Sequence, residues 1–188
     1  MSEKRKEYLT WEEGFMALAM TMAGRSKDPS TQVAAVIVKD NKLISIGYNG
    51  LTKGMDDDTF HWDSIGEITG EEDKVKDPWV VHAERNAVYN YRGPLADFDG
   101  STLYCTYFPC HICAQTIVQV GIKKVVYLRM YAYSKDTAIT KAMFDAKGIE
   151  YVPYNPDVEF TKEEIQQTTN DIQKMVKKFS PKPPSPNY

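Results

Sequence analysis

Two short stretches of this chain carry side chains that can do chemistry together. Val81-His82-Ala83-Glu84-Arg85-Asn86-Ala87 offers an imidazole and a carboxylate two positions apart, and Phe108-Pro109-Cys110-His111-Ile112-Cys113-Ala114 offers two thiols separated by two residues. One imidazole and two thiolates form a three-donor zinc set, which leaves the fourth tetrahedral position to water. Such a water ionises near pH ~7 and becomes a nucleophile. Glu84 is left over as a carboxylate that reaches the water without joining the metal. Zinc takes thiolates, so Cys110 and Cys113 must lose protons. Both stretches sit where helical patterns begin, and the positive end of a helix lowers a thiol pKa. The competing reading is a closed, structural zinc site with Cys105, His111 or His61 as fourth ligand. That site has no use for Glu84.

Elements must bring the two stretches together. Thr10-x-x-Glu13 reads as a capping box that opens a helix over Trp11–Ala23, with Phe15, Leu18, Ala19 and Met22 on its buried face. Gly24-Arg25-Ser26-Lys27-Asp28-Pro29 breaks it. Two cations beside a hydroxyl make this loop either an anion site or a solvated connector. Gln32–Lys39 reads as a strand buried on both faces, Asp40-Asn41 as a turn, and Lys42–Tyr48 as the hairpin partner. Asn49 then projects from a strand end in Gly47-Tyr48-Asn49-Gly50, a stretch that also fits an ordinary turn.

Leu51–Asp77 is a long polar insert with Asp56-Asp57-Asp58, Glu71-Glu72-Asp73, His61 and Trp62. Its acidic runs suit either a divalent cation or plain solvation. Further on, the patterns predict a helix over 82–91 ended by Gly93-Pro94, a strand over 103–107 and a helix over 110–120 stopped by Gly121. A strand over 124–128, a helix over 136–147 and a strand over 149–153 follow. Alternating strands and helices imply a layered α/β domain with parallel crossovers. Thr161-x-x-Glu164 is a second capping box. It opens a helix to Phe179 with the apolar stripe Ile165, Ile172, Met175, Val176 and Phe179, which packs on the domain or on another subunit. Four prolines in 180–188 make an extended tail. The expected organisation is an extension over 1–10, a catalytic domain over 11–154, a helix over 161–179 and the tail over 180–188.

With 188 residues and 42% hydrophobic content, the chain is long enough for one domain with a sizeable core. Lys+Arg 23 against Asp+Glu 26 gives net −3, which argues against nucleic acid as a partner. No stretch approaches the ~20 apolar residues of a membrane span. The charged start has no apolar run behind it and is unlike a secretory signal. Three cysteines, two of them in one C-x-x-C, fit a reducing, cytoplasmic setting rather than a disulfide scaffold.

H-x-E followed by P-C-x-x-C is the signature of zinc-dependent nucleobase deaminases. The likeness extends further. Arg25-Ser26-Lys27-Asp28-Pro29, Thr31-Gln32-Val33, Gly47-Tyr48-Asn49-Gly50, His82-Ala83-Glu84-x-Asn86-Ala87, Pro109-Cys110-x-x-Cys113-Ala114 and Gly121-Ile122-Lys123 occur in the order seen in deoxycytidylate (dCMP) deaminases. The resemblance covers residues 11–151 and leaves out the 161–179 helix and the tail. It implies a three-layer α/β/α cytidine-deaminase-like fold, a five-stranded mixed sheet between helices, to which this chain adds a C-terminal helix. It implies hydrolysis of dCMP to dUMP and ammonia, feeding dTMP synthesis. His82, Cys110 and Cys113 match the family's zinc ligands and Glu84 its proton shuttle. Asn49 matches the residue on the sugar and Tyr131 the tyrosine on the 5′-phosphate. Ser26, Lys27 and Val33 fall in its substrate-binding loop. Gly47, Tyr48 and Gly50 lie near its regulatory site, where dCTP activates and dTTP inhibits with Mg²⁺ beside the triphosphate. Family members are often homohexamers.

The chain departs from the family at Ala34, where glycine is usual and a methyl narrows the pocket floor. It departs again at Arg85, which replaces an apolar or neutral residue and makes a salt bridge, serves an interface or faces the ligand. The second zinc site of some relatives is absent, since the insert over 51–77 holds no Cys and one His. The alternatives are a deaminase of another cytosine nucleotide, nucleoside or free base, a tRNA or DNA deaminase, and a non-catalytic zinc module that binds partners through its terminal helix.

Overall fold

The computed structural model describes residues 2–60, 62, 76, 78–131 and 135–180. The chain begins its regular structure at α1 (Trp11–Ala23), opened by the expected capping box: Thr10 accepts from the Glu13 backbone N–H while the Glu13 carboxylate accepts from the Thr10 N–H. A hairpin follows, β1 (Ala34–Lys39) and β2 (Lys42–Tyr48). Its turn residues Asp40 and Asn41 both have positive φ, the conformation that a two-residue hairpin demands. Then come β3 (Gly50–Leu51), β4 (Val80–Val81), α2 (Ala83–Asn90), a 3₁₀ turn at Leu95–Phe98, β5 (Thr102–Tyr107), α3 (His111–Gln119), β6 (Lys124–Arg129), α4 (Lys135–Lys147), β7 (Glu150–Pro153) and α5 (Lys162–Lys178).

The main sheet runs β2-β1-β5-β6-β7. β1 is antiparallel to both neighbours, whereas β5, β6 and β7 are parallel. The sheet is therefore five-stranded and mixed, and its parallel crossovers are confined to the β5–β7 half. Alternation along β1 serves two cores. Ala35 and Ile37 join Ala83 and Ala87 of α2, Ile117 of α3 and Phe144 of α4, while Val36 and Val38 join Phe15, Met16 and Ala19 of α1 and Ile165 of α5. Three layers result.

Several boundaries differ from expectation for physical reasons. β1 starts at Ala34, because the Gln32 side chain donates to the Asp28 carbonyl and the Val33 N–H donates to the Asn49 side chain. α2 stops at Asn90, ahead of Gly93-Pro94, and Pro94 caps the 3₁₀ turn. β3 and β4 form a two-residue pair too short to leave a period in the sequence. α5 packs on α1. Ile165 joins the α1 core, and further along α5 the Gln173 side chain donates to the carbonyl of Gly24 at the end of α1. Gln166, Thr169, Asn170 and Gln173 line one cavity with Gly24, Ser26 and Gln32, so α5 lies against the end of α1 and the loop that follows it. Met175, Val176 and Phe179, expected in the buried stripe, are exposed, Phe179 at 84%.

Ala34 is fully buried and does not line the pocket described below, which removes the expected narrowing. Among the described residues Arg85 pairs with no carboxylate, and it does not line that pocket. It lies over the Tyr89 ring on its own helix and donates to the Tyr89 hydroxyl. Within the insert, Trp62 donates to the Asp57 carbonyl and Phe60 packs against Trp79. His61, Glu71, Glu72 and Asp73 lie outside the described residues, as does the tail over 181–188. No helix among the described residues is long and apolar enough to cross a membrane.

Candidate active site

His82 and Cys110 occupy equivalent places, each the N-cap residue of its helix with extended backbone. Neither side chain caps its own helix, so both remain free. The two helix starts converge. His82 Nδ1 lies 3.4 Å from Cys110 Sγ and 3.4 Å from Cys113 Sγ. Among the described residues these three form the one group whose donor atoms all lie within 4.8 Å of one another. Thr140 of α4 donates to the Pro109 carbonyl, and Asn86 donates to the Tyr48 and Val81 carbonyls, which fixes the two helix starts against the sheet.

The donor set fits zinc. Hydrogen bonds from Cys113 and then from His82 bring the Cys110 thiol down to about 3, which favours the thiolate. Cys113 goes the other way, because its proton is held toward Cys110 and the group is buried. His82 is raised, chiefly by its bond to Cys110. A thiolate, a second thiol and an imidazole nitrogen facing one point suit a soft divalent ion, and binding would displace the shared proton. The rival fourth ligands look elsewhere. Cys105 is fully buried, with its sulfur toward the Val126 carbonyl, and His111 Nδ1 lies 2.9 Å from Asp136 Oδ1. His61 lies outside the described residues.

Glu84 is 5% exposed, and burial pushes its carboxyl above the usual range, partly offset by His82. Its Oε2 lies 3.3 Å from Cys113 Sγ, yet Glu84 is not in the three-donor group. His82, Glu84 and Cys110 form one end of a pocket of about 180 Å³. The remaining wall includes Asp28, Thr31, Val33, Asn49, Lys76 and Tyr131. Tyr131 stacks on Tyr107, centroids 5.0 Å apart.

A model of the cytidine and deoxycytidylate deaminase zinc-binding region matches residues 9–129. The chain belongs to that family. It is 45% identical over 159 residues to a probable deoxycytidylate deaminase of Drosophila melanogaster, covering 82% of this chain and 77% of the relative. It is 41% identical over 156 residues to the deoxycytidylate deaminase of Mus musculus, covering 82% and 85%. Among solved structures, the dCMP deaminase of cyanophage S-TIM5 in complex with dCMP and dUMP superposes with a TM-score of 0.58 at 27% identity, over 78% of this chain and 99% of the phage protein.

In this deaminase the structure gathers Val33, Asn49 and Tyr131 around the pocket with Glu84, His82 and Cys110, and sets Cys113 just behind them. Ser26 and Lys27 are not in that wall. Ser26 donates to the Asn49 carbonyl behind it, and Lys27 pairs with Asp57 on the far side. Tyr48 and Gly50 line a second pocket of about 270 Å³ with Arg25, Lys27 and Lys53. Gly47 lines neither. An added Cβ there would meet the Ala87 nitrogen at 2.1 Å and the Ala83 carbonyl oxygen at 2.3 Å, so glycine is what lets α2 lie on β2.

Asn49 joins both pockets. Its amide oxygen accepts from the Val33 N–H (2.9 Å), and its nitrogen donates to the Thr31 carbonyl (3.0 Å) and Asp28 (3.2 Å). Both amide hydrogens are thereby used, which leaves one acceptor lone pair for a ligand hydroxyl. Sequence reasoning assigned no role to Asp28, Thr31 or Lys76. Asp28 carried a signal, since Asp-Pro in a helix-breaking loop is turn chemistry. Lys76 carried none.

Proposed function

We propose that this chain hydrolyses dCMP to dUMP and ammonia, and so feeds dTMP synthesis. One observation carries the reading: a buried carboxyl stands beside an open three-donor metal group at the end of a nucleoside-sized pocket. The relatives named deoxycytidylate deaminases, and a phage enzyme that holds both dCMP and dUMP, support the choice of substrate. In this reading His82, Cys110 and Cys113 hold Zn²⁺, whose Lewis acidity lowers the pKa of a water in the place the protein leaves open.

The chain's own residues do the rest. Glu84 takes a proton from the attacking water and passes it to cytosine N3 as oxygen bonds to C4. It then carries a second proton to the amino group, the C4–N bond breaks and ammonia departs. Burial raises the Glu84 pKa, which makes its carboxylate a stronger base for the first transfer and keeps the proton available for the next. The positive ends of α2 and α3 favour negative charge developing at the reacting oxygen. Asn49 receives the sugar hydroxyl, and Tyr131 bonds the 5′-phosphate. Ammonia release from dCMP, dCTP, CMP, deoxycytidine and cytosine tests the reading. dCMP is expected to lead by at least tenfold, and cytosine or deoxycytidine as the best substrate overturns it.

Regulation by dCTP and dTTP belongs to the second pocket, where Arg25, Lys27 and Lys53 supply positive charge and Asp57 supplies a carboxylate for Mg²⁺. Asn49 is the shared wall through which occupancy there reaches the substrate. The expected response is higher activity with dCTP and lower with dTTP at low dCMP. A hyperbolic curve that neither triphosphate moves overturns it. The same reading places the enzyme in the cytoplasm as a homohexamer, a mass that light scattering measures directly.

A further inference from the structure

Anion recognition was expected at Ser26 and Lys27, yet the cation in the catalytic pocket is Lys76, 48 residues beyond Asp28. Lys76 is 9% exposed and lines the pocket, and its Nζ lies 2.8 and 2.6 Å from the two carboxylate oxygens of Asp28, itself 3% exposed. Among the described residues it is the one lysine or arginine in that wall.

A buried ion pair is a poor way to gain stability, because desolvating two charges offsets their attraction. This pair is also redundant for holding the loop. Asp28 already accepts from the backbone N–H groups of Ser30 (2.8 Å) and Thr31 (3.1 Å) and from the Asn49 amide (3.2 Å). The carboxylate is therefore satisfied without the ammonium. An ammonium carries three donors, and two of them are spent on Asp28. Among the described residues nothing takes the third, on a charge held inside a ligand pocket.

We propose that Lys76 recognises the 5′-phosphate of the substrate, with Asp28 as the positioning residue that holds its ammonium ready. The proposal rests on the reading of this chain as a cytosine nucleotide deaminase and names the residue that tells nucleotide from nucleoside. It also selects among nucleotides. One ammonium beside a carboxylate suits a single phosphate. A triphosphate would bring further negative charge to a wall in which, among the described residues, no second lysine or arginine lies. The metal group does not change this, since two thiolates cancel the charge of Zn²⁺.

The test uses the zinc-loaded full chain as wild type, Lys76→Gln and Lys76→Arg. Steady-state kinetics on dCMP and deoxycytidine are read beside calorimetric binding of dUMP and deoxyuridine. A charge-assisted hydrogen bond is worth roughly 10–100-fold. In Lys76→Gln the ratio of kcat/KM for dCMP over deoxycytidine should fall by about that factor, mainly through KM, and dUMP affinity should fall with it. Lys76→Arg should recover most of the ratio. Equal losses on both substrates, or an unchanged ratio in a wild-type background that prefers dCMP, overturn the proposal and leave the proposed function standing. A wild type that prefers deoxycytidine overturns the proposed function and this proposal with it. If Lys76→Gln does not fold, acetylation of the wild-type protein mapped by mass spectrometry carries the test: dUMP must protect Lys76 more than deoxyuridine does, and equal protection overturns the proposal.

Discussion

The two ends of the catalytic pocket are built differently. The metal end takes His82, Glu84, Cys110 and Cys113 from two short stretches, each at the first turn of a helix seated on the sheet. The far end takes Asp28, Asn49, Lys76 and Tyr131 from four separate loops or strand ends, joined by side-chain bonds rather than by any one element. The metal end therefore inherits its geometry from secondary structure. The far end has to be assembled by tertiary contacts, each replaceable on its own. Chemistry is expected to be all-or-none at the first end and graded at the second.

The strongest test of that contrast is Cys113→Ala. With one donor gone, His82 and Cys110 cannot hold the ion, so zinc content by atomic absorption and turnover should both fall to background. Full zinc occupancy in the variant would mean that the ligand set is drawn differently. Glu84→Gln comes next. It keeps size and helix but cannot accept the proton, so zinc stoichiometry should match wild type while turnover falls by ~10⁴ or more. Loss of zinc in this variant would place Glu84 among the ligands and collapse the distinction between holding the metal and moving the proton.

At the far end, Asn49→Ala removes three hydrogen bonds and should reduce kcat/KM by roughly 10²-fold through KM, with zinc retained. A loss as deep as that of Glu84→Gln would show that the two ends are not separable. Gly47→Ala stands outside this order because it acts on the fold that both ends share. Its Cβ would meet α2 backbone atoms at 2.1 and 2.3 Å, costing about 3 kcal/mol of stability or more, and a thermal melt should show a fall of about ten degrees. No change in the melting temperature would mean that α2 gives way freely.

The same contrast decides what could be read from the sequence. Thr10 and Glu13, Thr161 and Glu164, and Asp40-Asn41 announce their caps and turn because those structures close within three or four residues. His82, Glu84, Cys110 and Cys113 are legible for the same reason, since a helix start and an i, i+2 or i, i+3 spacing fix their mutual placement. Lys76 has no such neighbour. It lies in a polar insert without periodicity, and it turns inward because Asp28, 48 residues earlier, is waiting there. Lys27 looked like the anion ligand through its place in a tight loop, but the pair it makes with Asp57 faces the other pocket. The end of α5 follows the same rule: its apolar spacing is legible, but what covers it, the domain or another subunit, is not local information, and in the single chain Met175, Val176 and Phe179 are exposed.

That exposed end has a practical use in labelling. The middle of α5 seats the loop that starts toward both pockets, since Gln166, Thr169, Asn170 and Gln173 line a cavity with Gly24, Ser26 and Gln32, and the last turn of the helix continues past that contact. Cys105 is buried and inert, and Cys110 and Cys113 are masked once the proposed metal is in place. A cysteine introduced at Phe179, 84% exposed, would then be the sole reactive thiol of the loaded protein. A fluorophore there would sit beside the loop that carries Asp28, whereas the same dye at Tyr8 would sit at the opposite end of α1 as a silent control.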